Sequence, residues 1–172
     1  MTTVQDHVRM LDGLLRDGYF ASVEQLPDIV TKHAAAAGVG QVRIYVADLR
    51  QRVLRELTGW GPDVCAGGQE LLVEGTLAGR VFRHTRVMIS PRAVGAHRRY
   101  WVPILDGTER LGVLSADAAG GDGARQVVEH LASVVALLLV SKRAFSDSYA
   151  RLVRTETMNL AAEMQWALMP PR

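Results

Sequence analysis

The chain is poor in the residues that usually announce a chemistry. Among 172 residues there is one cysteine, one asparagine and two lysines, and aromatics make up only 6%. The lone Cys65 excludes an internal disulfide framework and fits a reducing, cytoplasmic setting. Its most apolar stretch, Leu131 to Val140, falls well short of the ~18–20 residues that cross a bilayer, so no membrane partner is expected. Asp6, Arg9, Asp12 and Arg16 interrupt the start, which therefore lacks the apolar core of a signal peptide. The net charge is +2, too small to attract nucleic acid by overall charge. His7, His33, His84, His97 and His130 show no metal-ligand spacing. Haem ligation by one of them is a lesser alternative, and no cofactor is specified.

The most telling absence lies in the last third. Between Gly123 and Pro170 there is neither proline nor glycine, so Ala124 to Leu168 reads as one helix, roughly 67 Å long at about 1.5 Å per residue. A body built from the remaining residues has a radius of gyration of about 14 Å, so the helix should project from it. Val127, Val128, Leu131, Val134, Val135 and Leu137 to Val140 make its first part apolar all round, as for a packed helix. From Ser141 to Asn159 it turns polar and keeps a thin stripe of Phe145, Tyr149, Leu152 and Val153. Leu160, Ala161, Met164 and Leu168 then rebuild an apolar face. A projecting helix cannot bury such a stripe alone, which predicts a parallel homodimer through Phe145, Leu152, Leu160, Met164 and Leu168. A fraying tail is the alternative. The division is a globular domain over 1–140 and a linker helix over 141–172.

The globular part alternates its periods. Val4, Val8, Leu11 and Leu15 recur at helical spacing and predict a helix that ends before Gly18, with Asp12 and Arg16 paired outside. A second helix starts near Ser22 or Pro27 and runs through Ala34 to Ala37; its small face suits packing on the C-terminal helix. Val42, Ile44 and Val46 then alternate as a strand, Asp48 to Gln51 turns, and Val53 to Leu57 returns. Thr58 to Gly68 reads as loop. Thr76 caps a helix through Phe82, with Arg80 and Arg83 outside. Val87 to Ile89 is a short strand and Ser90 to Ala96 a loop. Tyr100 to Leu105 is apolar without alternation, so both faces should be covered, although Pro103 belongs on an edge. Arg110 to Asp117 returns beside it, with Gly112 allowing close approach. The order predicts an α+β fold with an antiparallel sheet.

Gly75-Thr76-Leu77-Ala78-Gly79-Arg80-Val81-Phe82-Arg83, followed by Trp101-Val102-Pro103-Ile104 and Leu111-Gly112-Val113-Leu114, resembles the second half of a GAF domain. The resemblance covers roughly residues 10–140. It implies a regulatory small-molecule sensor whose terminal helices pack on one face of the sheet and form the dimer contact. The other face, roofed by the middle helix and loops, would hold the ligand. Ala161 to Pro171 is similar to the linker ahead of metal-dependent type 2C serine phosphatases of bacterial stress and sporulation control. That similarity implies a phosphatase output acting on sigma-factor regulators and lying beyond Arg172, so this chain is expected to have no catalytic residues. The GAF photoreceptors place His after their chromophore cysteine, where this chain has Ala66. The cyclic-nucleotide GAF signature starts with Asn-Lys, whereas the only asparagine here is Asn159. The GAF methionine-sulfoxide reductases use several cysteines.

The resemblance places a ligand pocket among Tyr45, Trp60, Thr76, Phe82, Tyr100 and Ser115. Ser115 is the most informative, since a hydroxyl buried in an apolar strand needs a partner or water. Two other readings stay open: a ligand-free structural dimerisation module, and an acidic or nucleic-acid partner on Arg80, Arg83, Arg86, Arg92, Arg98 and Arg99. Nucleic acid is the least expected, because neither stacking aromatics nor a groove-reading helix accompanies the arginines.

Overall fold

The computed structural model of the chain describes residues 4–94, 97–144 and 146–154. Two helices lead, α1 (Val4–Phe20) and α2 (Leu26–Ala36), joined by a 3-10 turn at Val23–Gln25. Next come strands β1 (Gly40–Ala47), β2 (Val53–Glu56) and β3 (Glu70–Leu72), then helix α3 (Leu77–His84). Strands β4 (Met88–Val94), β5 (His97–Asp106) and β6 (Glu109–Ala119) complete the sheet, and α4 (Asp122–Arg143) and α5 (Asp147–Leu152) close the described chain. The sheet has six strands in the order β3-β2-β1-β6-β5-β4, with every neighbouring pair antiparallel. The expected α+β class with an antiparallel sheet and a long C-terminal helix is present.

The register explains two features of the sequence. Tyr100, Val102 and Ile104 share one face, and Trp101 and Pro103 the other, so both sides of β5 carry apolar cover. Pro103 lies beyond Trp101, the last β5 residue with a partner on β4. There β5 is an edge, which removes the conflict posed by a proline in an inner strand. β4 extends through Pro91, with a register shift between Ile89 and Ala93, in place of the expected loop. β3 has no strand signal in the sequence; it is a three-residue strand held on β2.

Each face of the sheet has its own apolar cluster. On one side α1, α2 and α4 enclose Met10, Leu14, Leu26, Ile44, Val46, Tyr100, Ile104, Leu114, Leu131 and Leu139. On the other, α3 covers Tyr45, Leu54, Val73, Val81, Phe82 and Val113. Thr76 caps α3 as its sequence predicts, its Oγ1 accepting from the Gly79 N–H at 3.0 Å. α4 is long and apolar enough to cross a bilayer by length and composition, with a mean hydropathy of 1.4. Val127, Val128, Leu131, Val135 and Leu139 are instead buried against the sheet and α1, as in a core helix.

Three expectations change. α1 is amphipathic, but Val4, Val8 and Leu15 lie outside, and its buried face is Met10, Gly13, Leu14 and Gly18. α2 packs chiefly on α1 and β1 rather than on α4. The C-terminal helix does not run unbroken through its polar part: α4 stops at Arg143, and Ser146 starts a new helix by accepting from the Tyr149 N–H. α5 folds back onto the body, where Tyr149 and Leu152 join the core. Two buried apolar side chains outweigh the local preference for a straight helix. Leu152 is therefore in the chain's own core and is not a free seam position. Phe145, Leu160, Met164 and Leu168 lie outside the described residues.

Candidate functional site

The face of the sheet under α3 has an apolar half and a polar half. Strand alternation puts Arg43, Tyr45 and Glu56, Arg99 and Trp101, and Val113, Ser115 and Asp117 on this one face. α3 covers Tyr45, Val113 and their apolar neighbours. Toward the start of β1 the surface becomes charged and hydrogen-bonded.

The polar contacts interlock. Arg99 grips Asp117 with two parallel bonds, Nε to Oδ1 at 2.7 Å and Nη2 to Oδ2 at 2.9 Å. That carboxylate raises the Arg99 pKa further. Arg43 faces Glu56 at 3.7 Å, and Glu56 Oε2 also accepts from the Gln69 N–H at 2.8 Å. The Tyr45 hydroxyl donates to Gln69 Oε1 at 3.2 Å. Burial raises the Tyr45 pKa, so the phenol stays protonated at neutral pH. The Tyr45 and Trp101 rings lie 5.8 Å apart, tilted by 30°.

Ser115 sits in the middle, opposite Arg43 on one side and Trp101 on the other. It is 1% exposed, and its Oγ is the buried side-chain polar atom left without a hydrogen-bond partner among the described residues. A buried hydroxyl without a partner costs roughly 1–3 kcal/mol. Two clefts flank this end of the sheet. One, of about 370 Å³, is lined by Ala35, Val39, Gln41, His97 and Asp117. The other, of about 320 Å³, is lined by Pro27, Arg43, Glu56, Thr58 and Trp60. Each is of the size that takes one small molecule.

The six pocket candidates fall into three groups. Tyr45, Phe82 and Ser115 share the α3 face, and Thr76 stands at the start of α3. Trp60 is 70% exposed in the loop after β2 and borders the cleft that also touches Arg43 and Glu56. Tyr100 points to the opposite face, into the cluster under the terminal helices, where its hydroxyl donates to Ala119 O, farther along β6, at 3.5 Å. It is removed from the site because even and odd positions of β5 face opposite ways. Sequence reasoning misses Arg43, Glu56, Gln69 and Asp117, since each alone reads as a polar residue on a strand or in a loop and only the strand register brings them together.

The arginine group does not converge. Arg80, Arg83 and Arg86 are exposed on and after α3. Arg98 and Arg99 follow one another in β5 and so take opposite faces. The Arg92 side chain lies outside the described ones.

Cys65 lies in the loop after β2, beside Asp63 and Arg55. Burial, and then the bond to the Asp63 carboxylate, push its thiol up to about 12. Thiolate is therefore scarce at neutral pH. Weighing the lost thiolate against its greater nucleophilicity, alkylation by iodoacetamide at pH 8 should be slower on the order of a hundredfold in the folded protein than in urea. Equal rates in a mass-spectrometric time course would show that the thiol is not held as described.

No protein-family model matches the sequence, and no curated protein matches it either. Solved structures do. The GAF domain of an Acinetobacter phosphoenolpyruvate-protein phosphotransferase superposes with a TM-score of 0.64 at 18% identity, covering 84% of this chain and 98% of that one. The A. aeolicus nlh2 GAF domain in an inactive state gives 0.61 at 11% identity, over 80% of this chain and 98% of that one. The free methionine-R-sulfoxide reductase of Neisseria meningitidis, solved with its substrate, gives 0.58 at 12% identity, over 85% and 96%. The fold is the GAF fold. At these identities the likeness extends to architecture alone, and the similar structures include GAF domains of larger proteins and a methionine-R-sulfoxide reductase.

Proposed function

We propose that this GAF-fold domain is a cytoplasmic regulatory module, not an enzyme, that binds a small molecule at the polar end of its sheet. The observation that carries the reading is Ser115: a buried hydroxyl without a partner, ringed by Arg43, Tyr45, Trp101 and the Arg99–Asp117 pair. A ligand reaching this hydroxyl would satisfy it and draw on the spare donors of the two guanidinium groups. Against a GAF-type reductase stands Cys65, the single cysteine, whose thiol is pushed up to about 12. The module would pair with a second copy. Val4, Val8, Leu15 and Tyr19 of α1 and Leu137 of α4, each more than half exposed, lie on the adjacent outer faces of two helices that run side by side, supporting contact there. The resemblance of residues 161–171 supports a type 2C phosphatase controlling sigma-factor regulators as the output; these residues lie outside the described ones.

The experiment is a thermal-shift screen of small metabolites on the parent protein and on Ser115→Ala. Without ligand, Ser115→Ala should be as stable as the parent or more stable by about 1 kcal/mol, since it removes an unsatisfied group. A compound that raises the parent Tm should lose most of its effect on the variant. If no compound shifts the parent, the reading as a ligand-free dimerisation module takes its place; the packing of Tyr45 and Phe82 beneath α3 favours that one.

A further inference from the structure

The segment Asp147–Val153 is tied down at several points by groups distant in sequence. The Leu49 N–H, in the β1–β2 turn, donates to Val153 O at 2.9 Å. Arg55 Nη1 donates to Leu152 O at 2.9 Å, and Ser148 stands beside the Glu24 carboxylate of the 3-10 turn and lowers its pKa. Arg151 Nη1 reaches Pro62 O at 3.5 Å. Tyr149 and Leu152 fill the space beneath, 9% and 1% exposed. Beside them stays a cleft of about 290 Å³, lined by Ala47, Leu49, Glu109, Leu111, Arg143 and Tyr149. The attachment is thus a short helix over a partly empty groove, held by two apolar plugs and a few bonds at its ends.

Arg55 is the junction. Its side chain is 12% exposed and also bonds Asp63 at 2.6 Å and Glu70 at 3.0 Å, so one guanidinium ties α5 to the loop after β2 and to β3. The next residue, Glu56, projects to the opposite face, where it meets Arg43 and the Gln69 amide at the polar end. β2 therefore has its grip on α5 and its grip on the polar end at adjacent residues.

We propose that α5 is a releasable strap: it opens as a unit separate from the sheet, and the position of β2, set on its other face by Glu56 and Arg43, decides whether it stays docked. Released, Asp147–Val153 is free to extend α4, as its breaker-free sequence permits. The coupling to a ligand rests on the reading of the polar end given above; the strap itself does not.

Hydrogen exchange by mass spectrometry and NMR on the full chain tests it. The reporter is the Leu49 amide, whose partner is Val153 O and whose residue is otherwise exposed. Leu152→Ala should raise exchange at Leu49 and across Asp147–Val153 on the order of tenfold or more. The amides of β5 and β6 should stay within twofold of the parent. Arg55→Gln, which keeps the apolar plugs, should do the same to a lesser degree. Glu56→Gln should raise strap exchange severalfold through β2. Equal loosening of β5–β6 and α5 in Leu152→Ala would overturn the strap as a separate unit. Unchanged Leu49 exchange in both Leu152→Ala and Arg55→Gln would overturn the attachment, and an effect of those two without one of Glu56→Gln would overturn the coupling. None of these outcomes depends on whether a small molecule binds, so a failed metabolite screen and a failed strap are separate results.

Discussion

Gly112→Val should leave the chain unable to fold, and Gly112→Ala should lower its stability by about 3 kcal/mol or more. Gly112 lies in β6, between β1 and β5, and a Cβ built there would run into the backbone carbonyl of Tyr45 and sit 3.1 Å from the Val46 Cα. Both obstacles are main chain of a neighbouring inner strand and cannot turn away as the end of a flexible side chain would. Relief would require β1 to separate from β6, and these two strands carry Tyr45, Val113 and Ser115 between them. With only about 5–15 kcal/mol holding an ordinary domain together, the valine exceeds what the fold can absorb. Gly123→Ala is the control, because it lies in the first turn of α4 with open space around it. It should raise the melting temperature slightly or leave it unchanged. Circular dichroism melts of the three variants decide the matter; a Gly112→Ala protein melting with the parent would mean that the approach of β1 is looser than described.

The role of Gly112 is legible in the sequence because a glycine inside an apolar strand marks close approach. Other local signals read equally well: the Thr76 cap, the alternation of Val42, Ile44 and Val46, and the continuous apolar run from Tyr100 to Leu105. The features that local signals misplace are decided at a distance. α1 has two apolar stripes, and the buried one is the weaker in hydrophobicity, since Gly13 and Gly18 admit the His33 ring and the Leu138 side chain. Composition cannot rank a glycine as core, so the period is visible and the face is not. The break after Arg143 has no local breaker; it follows from a groove that accepts Tyr149 and Leu152. The polar end is the hardest case, because Arg43, Glu56, Arg99 and Asp117 come from four strands. Each alone reads as a solvated charge on a strand, and register brings them around Ser115.

Leu139→Ala should destabilise the domain by about 3–4 kcal/mol, whereas Leu137→Ala should cost the isolated protomer almost nothing. The sequence Leu137-Leu138-Leu139-Val140 gives no hint of such a difference. In the fold Leu139 is fully buried between the sheet and the helices, Leu138 fills the space that Gly18 leaves on α1, and Leu137 is 63% exposed. Removing the Leu139 side chain leaves a cavity walled by a rigid sheet, which cannot collapse to fill it. At about 2–4 °C per kcal/mol for a domain of this size, the melting temperature should fall by roughly 6–15 °C. Leu137→Asp carries the comparison to the outer surface. In a protomer alone it is a harmless exposed substitution. If the outer faces of α1 and α4 meet a second copy, an aspartate there places a charge within a dry contact, and the dimer should weaken by at least tenfold in Kd. Light scattering over a dilution series of the parent and the variant separates the two cases. A dimer that survives Leu137→Asp unchanged would move the contact elsewhere on the chain, and a stable Leu139→Ala protein would contradict the placement of α4 itself.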